Sequence, residues 1–150
     1  MSRPLTKPMN ALRSAWQRPR AASVEVALVL VYLAVLFWAG LIPLKHLPGP
    51  EFKLADKVWH AAAFGGLAAF GSRALRHLKR SPDSANRDAT WLAVALGGLL
   101  EILQSFTAYR SADLADFAAD ALGAGLAYLM LVQLTRGSPS GQGPAQGREA

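Results

Sequence analysis

The sequence has no cysteine, which excludes disulfides and thiolate metal ligands and leaves the redox compartment unmarked. Charge is sparse as well: Asp, Glu, Lys and Arg make up 17% of the 150 residues. Whole stretches lack it. Residues 21–44 carry one charge, Glu25, and residues 89–109 carry one, Glu101. Residues 58–72 contain His60 as their one ionisable group, and residues 121–135 hold no charged residue. These gaps exclude a soluble core built from scattered apolar positions, because the 52% of the chain that is apolar is gathered into runs.

A helix needs about 20 mostly apolar residues to cross ~30 Å of hydrocarbon. The first and third runs meet that length directly, and the second and fourth meet it once their polar ends are included. The expectation is an all-α membrane protein, a four-transmembrane-helix bundle with spans at about 24–43, 57–73, 89–107 and 114–134. The first run exceeds the usual signal-peptide core of about 7–15 residues and no A-x-A site follows it, so it reads as a retained anchor. Residues 1–23, polar, basic and interrupted by Pro4, Pro8 and Pro19, read as a loose cytoplasmic arm. Residues 136–150, rich in Gly, Pro, Ser and Gln, read as a disordered cytoplasmic tail. Small residues four apart (Ala61 and Gly65, Ala119 and Gly123, Ala121 and Gly125) offer close helix contacts.

The net charge of +6 is distributed as a topology signal, and nucleic acid is not an expected partner. Four spans place Arg3, Lys7, Arg13, Arg18, Arg20, Arg73, Arg76, Lys79, Arg80, Arg87, Arg136 and Arg148 on one side. Lys45, Lys53, Lys57 and Arg110 fall on the other. Basic residues accumulate on the cytoplasmic side, so both termini are expected in the cytoplasm. The stretch "RALRHLKR" then lies beside anionic headgroups.

Three polar constellations have helical spacing. In "DKVWH", Asp56, Lys57 and His60 share a face; in "EILQ", Glu101 and Gln104 are three apart; in "RSADLADFAAD", Asp113, Asp116 and Asp120 form one stripe beside Arg110. The second span starts outside, the third ends outside and the fourth starts outside, so all three constellations meet at the extracytoplasmic end. At about 1.5 Å per residue, His60 lies ~6 Å in, with Asp120 and Glu101 at ~9–10 Å. The expected picture is a polar funnel with Glu101, His60 and Asp120 at its floor. Gln104, Arg110, Lys57, Asp56, Asp113 and Asp116 line its mouth. Five carboxylates against two fixed cations cannot all stay ionised in a low dielectric, so some hold protons or a divalent cation binds. Simpler roles stand beside this one. Asp56 and Asp113 suit helix N-caps, with Asp116 at the third position of its helix. His60 suits an interfacial hydrogen bond, Arg110 a salt bridge with Asp113 or Asp116, and Gln104 a bond across helices. Glu25 can meet Arg18 or Arg20, and Tyr32, Tyr109 and Tyr128 suit packing or interface anchoring. Glu101 and Asp120 lie too deep for capping.

"DKVWHAAAF", "EILQSF" and "YRSADLADFAADALG", in that order, resemble the VanZ-like family of small bacterial membrane proteins, named for a teicoplanin-resistance protein. The matching residues are Asp56, Lys57, His60, Phe64, Glu101, Gln104, Arg110, Asp113, Asp116 and Gly123. The resemblance covers roughly residues 26–134. The family usually has asparagine where this chain has Asp120, and often an acidic residue where Ala115 stands. The resemblance implies a multi-pass protein of the bacterial inner membrane, in some members linked to glycopeptide resistance.

Two functions follow as expectations. In one, the site binds or modifies an envelope lipid, a lipid-linked cell-wall precursor or a lipoglycopeptide. Glu101, Asp116 and Asp120 then serve as acid–base or metal-binding groups, His60 shares proton transfer, and Arg110 with Lys57 orients a phosphate or carboxylate. In the other, the protein is a non-enzymatic scaffold for another envelope protein. An ion-coupled transporter fits less well, since no matching polar path leads to the cytoplasm.

Overall fold

A computed structural model describes residues 7–42, 55–108 and 112–136, with side chains from residue 22 onward. The described residues form four α-helices and no strand: α1 Lys7–Leu41, α2 Ala55–His77, α3 Pro82–Ser105 and α4 Leu114–Arg136. Two boundaries differ from expectation. The backbone is helical from Lys7, so most of the stretch read as a loose arm is continuous with α1. Pro8 falls in the first turn, where no N–H is needed, and Ala11, Leu12, Arg13, Ala15 and Gln17 are good helix formers that extend a helix already nucleated. The third helix begins at Pro82 rather than near residue 89. Ser81 caps it, accepting from the Ser84 N–H, and Pro82 occupies the first helical position.

α2 and α4 run parallel and pack most closely, with α3 antiparallel to both; α1 lies against α2 and touches α3 lightly. Two glycines permit the α2–α4 contact. A Cβ on Gly123 would collide with the Ala61 carbonyl oxygen, and one on Gly65 would lie 2.9 Å from the Gly123 oxygen. Gly125, in contrast, faces open space. The core is small and apolar: Phe64, Leu67, Ala68, Ala93, Leu100 and Ala124. Tyr32 of α1 closes onto it, donating to the Ala63 carbonyl at 2.9 Å and meeting Phe70 edge-on at 5.4 Å.

The distribution of polarity is inverted relative to a protein in water. Large apolar side chains face outward on every helix, among them Leu28, Trp59, Trp91, Ile102 and Leu126. Meanwhile Ser72, Asn86, Glu101, Gln104, Asp116 and Asp120 are buried. By length and composition two segments can cross a membrane: residues 22–41, with mean hydropathy 2.3, and α4, with 1.5. α2 and α3 do not reach that standard. The first carries "DKVWH" and a basic end, and the second starts on "PDSANRD" and contains Glu101 and Gln104.

Candidate functional site

The parallel register of α2 and α4 aligns their polar stripes turn by turn. Lys57 Nζ lies 2.8 Å from Asp116 Oδ1 and 3.2 Å from Asp113 Oδ2. One turn deeper, His60 Nδ1 lies 2.9 Å from Asp120 Oδ1. Asp113 caps α4, its Oδ1 accepting from the Ala115 N–H at 2.8 Å. That bond, followed by the Lys57 ammonium, holds the Asp113 carboxyl below the usual carboxylate range.

α3 supplies the third wall. Glu101 Oε2 accepts the Asp113 backbone N–H at 2.8 Å, which places a carboxylate against the positive end of α4. Glu101 is 5% exposed and Asp120 0%. Each has one oxygen, Oε1 and Oδ2, that is buried with no hydrogen-bond partner among the described residues. Asp120 has its room because position 97 is glycine: a Cβ there would lie 2.7 Å from Oδ2. His60, Glu101 and Asp120 each present a ligand atom within 4.8 Å of the other two, and Asp56, His60 and Asp116 do the same. A cavity of about 150 Å³ lies beside His60 and Asp56, walled by Leu36, Gly40, Trp59 and Leu100.

Most of the expected residues are therefore brought together, with one change of role. Lys57 is engaged by two carboxylates, Asp113 and Asp116, and its ammonium stays part-exposed. Gln104 reaches away from the cluster and donates to the Gly40 carbonyl of α1 at 2.9 Å, tying α3 to the end of that helix. Arg110 lies outside the described residues. Glu25 is also reassigned: it pairs with Arg73 of α2 at 2.8 Å, with His77 at 3.8 Å.

A second buried polar group at the other end of the bundle escaped sequence reasoning. Asn86 Oδ1 accepts from Ser72 Oγ and from Arg76 Nη2, both at 2.6 Å, while Asn86 Nδ2 and Arg76 Nε have no partner. The available signal was the Ser81–Pro82 helix start, which moves Asn86 from a loop onto a helix face.

The sequence model of the VanZ/LLP1 family matches residues 7–135. No curated protein and no solved structure matches the chain significantly.

Proposed function

The chain belongs to the VanZ/LLP1 family, and we propose that it is a multi-pass protein of the bacterial inner membrane whose outward-facing acid–histidine site binds or modifies an envelope molecule. All four helices cross the bilayer in this reading, with both termini in the cytoplasm. The apolar exterior of every helix supports it. Each large apolar side chain gains about 1.5–3 kcal/mol on leaving water, so hydrocarbon is the medium that suits this surface. The excess of basic residues at one end supports the orientation.

The observation that carries the functional reading is the meeting of His60, Glu101 and Asp120 from three helices, with two buried carboxylate oxygens left unpaired. Buried carboxyl groups are costly unless something compensates them, and such groups mark working sites in membrane helices. The molecule acted on is an envelope lipid, a lipid-linked cell-wall precursor or a lipoglycopeptide of the teicoplanin type. It approaches from the outer leaflet toward the cavity beside His60. Glu101 and Asp120 exchange protons with it, and His60, hydrogen-bonded to Asp120, shares the proton. Lys57, part-exposed beside Asp113 and Asp116, and Arg110 together orient a phosphate or carboxylate. Asp56 and Asp116 flank the mouth.

A structural reading is favoured by one specific feature. The Lys57 ion pairs and the Glu101 bond to the Asp113 N–H join α2, α3 and α4, as a scaffold for another envelope protein would require. Glycopeptide susceptibility and membrane abundance of Glu101→Gln and Asp116→Asn separate the two. Loss of the phenotype at normal abundance is the expected result. Wild-type behaviour of both variants sinks the site, and loss of abundance with a co-purifying partner turns the reading to the scaffold.

A further inference from the structure

The geometry points to a divalent transition-metal site formed by His60, Glu101 and Asp120. The inference shares its residues with the proposed function but does not depend on which envelope molecule is bound. Three features carry it. First, the donors come from three different helices and each places a ligand atom within 4.8 Å of the others. His60 Nδ1 and Asp120 Oδ1 now share a hydrogen bond at 2.9 Å, and a metal bound there would displace that proton.

Second, Glu101 Oε1 and Asp120 Oδ2 are buried and lack a hydrogen-bond donor among the described residues. Buried polar atoms are normally satisfied, and a carboxylate oxygen can be satisfied by a cation as well as by an N–H. Third, among the described residues the lysine nearest the floor, Lys57, pairs with Asp113 and Asp116 at the mouth and not with Glu101 or Asp120. A dication would neutralise both acids at once.

One imidazole with two carboxylates suits Zn²⁺, Mn²⁺ or Fe²⁺ better than the all-oxygen preference of Ca²⁺ or Mg²⁺. Three protein ligands also leave coordination positions open, as a site that takes up a substrate oxygen needs. Of the three ligands, His60 also lines the cavity shared with Asp56 and Trp59. Glu101 Oε2 keeps its bond to the Asp113 N–H in this arrangement, which fixes the ligand from behind.

The test uses the purified full chain in detergent, stripped with chelator and titrated with Mn²⁺ or Zn²⁺. Bound metal is read by loss of the free Mn²⁺ paramagnetic signal and by elemental analysis for zinc. We expect one equivalent per chain and a rise in the thermal midpoint on binding. Glu101→Gln and His60→Gln should each weaken binding at least tenfold. Asp88→Asn, which removes a carboxylate at the opposite end, should bind as wild type. Failure of the wild-type chain to take up either metal overturns the site, as does uptake unchanged in both ligand variants. Should a variant fail to fold, the metal-induced midpoint shift of the wild type decides alone: its absence counts against the site. A metal-free result leaves the acid–base reading standing, because that reading is tested by phenotype.

Discussion

Replacing Gly123 by alanine separates α2 from α4 and so tests what positions the site. An added Cβ would overlap the Ala61 carbonyl oxygen and lie 2.6 and 2.7 Å from the Ala61 carbonyl carbon and Cα. Backbone atoms cannot rotate away, and carbon–carbon contacts relax at about 3.5–4.0 Å, so the helices must part by roughly 1 Å. The same movement stretches the Lys57–Asp116 and His60–Asp120 contacts, now 2.8 and 2.9 Å, out of hydrogen-bond range. Overpacking costs about 1–3 kcal/mol and each strained polar contact about 0.5–1.5, against a helix-propensity gain of about 1. The net expectation is a loss of about 1–5 kcal/mol. Gly125→Ala is the matched control: nothing lies within 4 Å of its new Cβ, so it should be neutral or stabilising by up to about 1 kcal/mol. Equilibrium unfolding in mixed micelles, followed by far-ultraviolet circular dichroism, measures both. If Gly123→Ala proves as stable as Gly125→Ala, the close α2–α4 contact and the site geometry built on it are wrong.

Lys79 has φ of 65° where α2 ends, with the Arg80 N–H bonded to the Leu75 carbonyl, a left-handed cap that favours glycine. Lys79→Gly should therefore stabilise the protein by about 0.5–1 kcal/mol in the same unfolding assay. Gln104→Leu removes the donor to the Gly40 carbonyl at the end of α1 and should destabilise by about 1 kcal/mol, visible as a lowered midpoint. The Asp113 carboxyl titrates below its ordinary range in the folded protein. Its contribution is complete above the unfolded carboxylate pKa and is lost as pH falls through the lowered folded value. Thermal midpoints measured from pH 7 down to about 3 should fall more steeply in wild type than in Asp113→Asn; parallel curves would contradict this.

The four helices and the meeting of three polar constellations were legible because both rest on local rules: apolar runs of sufficient length, and polar residues spaced three or four apart. His60, Glu101 and Asp120 converge because α2 and α4 run parallel while α3 returns between them, an order that short connections impose. Partner choice was less legible. Lys57 stands three residues from His60 and shares its face, yet a long flexible side chain turns to the nearest carboxylates, Asp113 and Asp116. Gln104 follows Glu101 by three residues, but its amide reached a backbone carbonyl of α1, and no side-chain pattern marks a carbonyl. Glu25 met Arg73 across helices for the same reason: charge pairing depends on which helices touch. Of three small-residue pairs, Ala121 and Gly125 do not mediate a contact, since composition alone does not tell a packed glycine from an outward one.

The two buried polar groups are separated by an apolar waist. His60 and Ser72 lie twelve residues apart on α2, ~18 Å along the helix. Between those levels the described core consists of Phe64, Leu67, Ala68, Ala93 and Ala124, with no ionisable side chain among them. Among the described side chains, the polar groups at the two ends are joined through apolar packing and share no hydrogen bond. The Ser72–Asn86–Arg76 group ties α2 to α3 at the opposite end, while Gly97 of α3 makes room for Asp120 of α4 at the site.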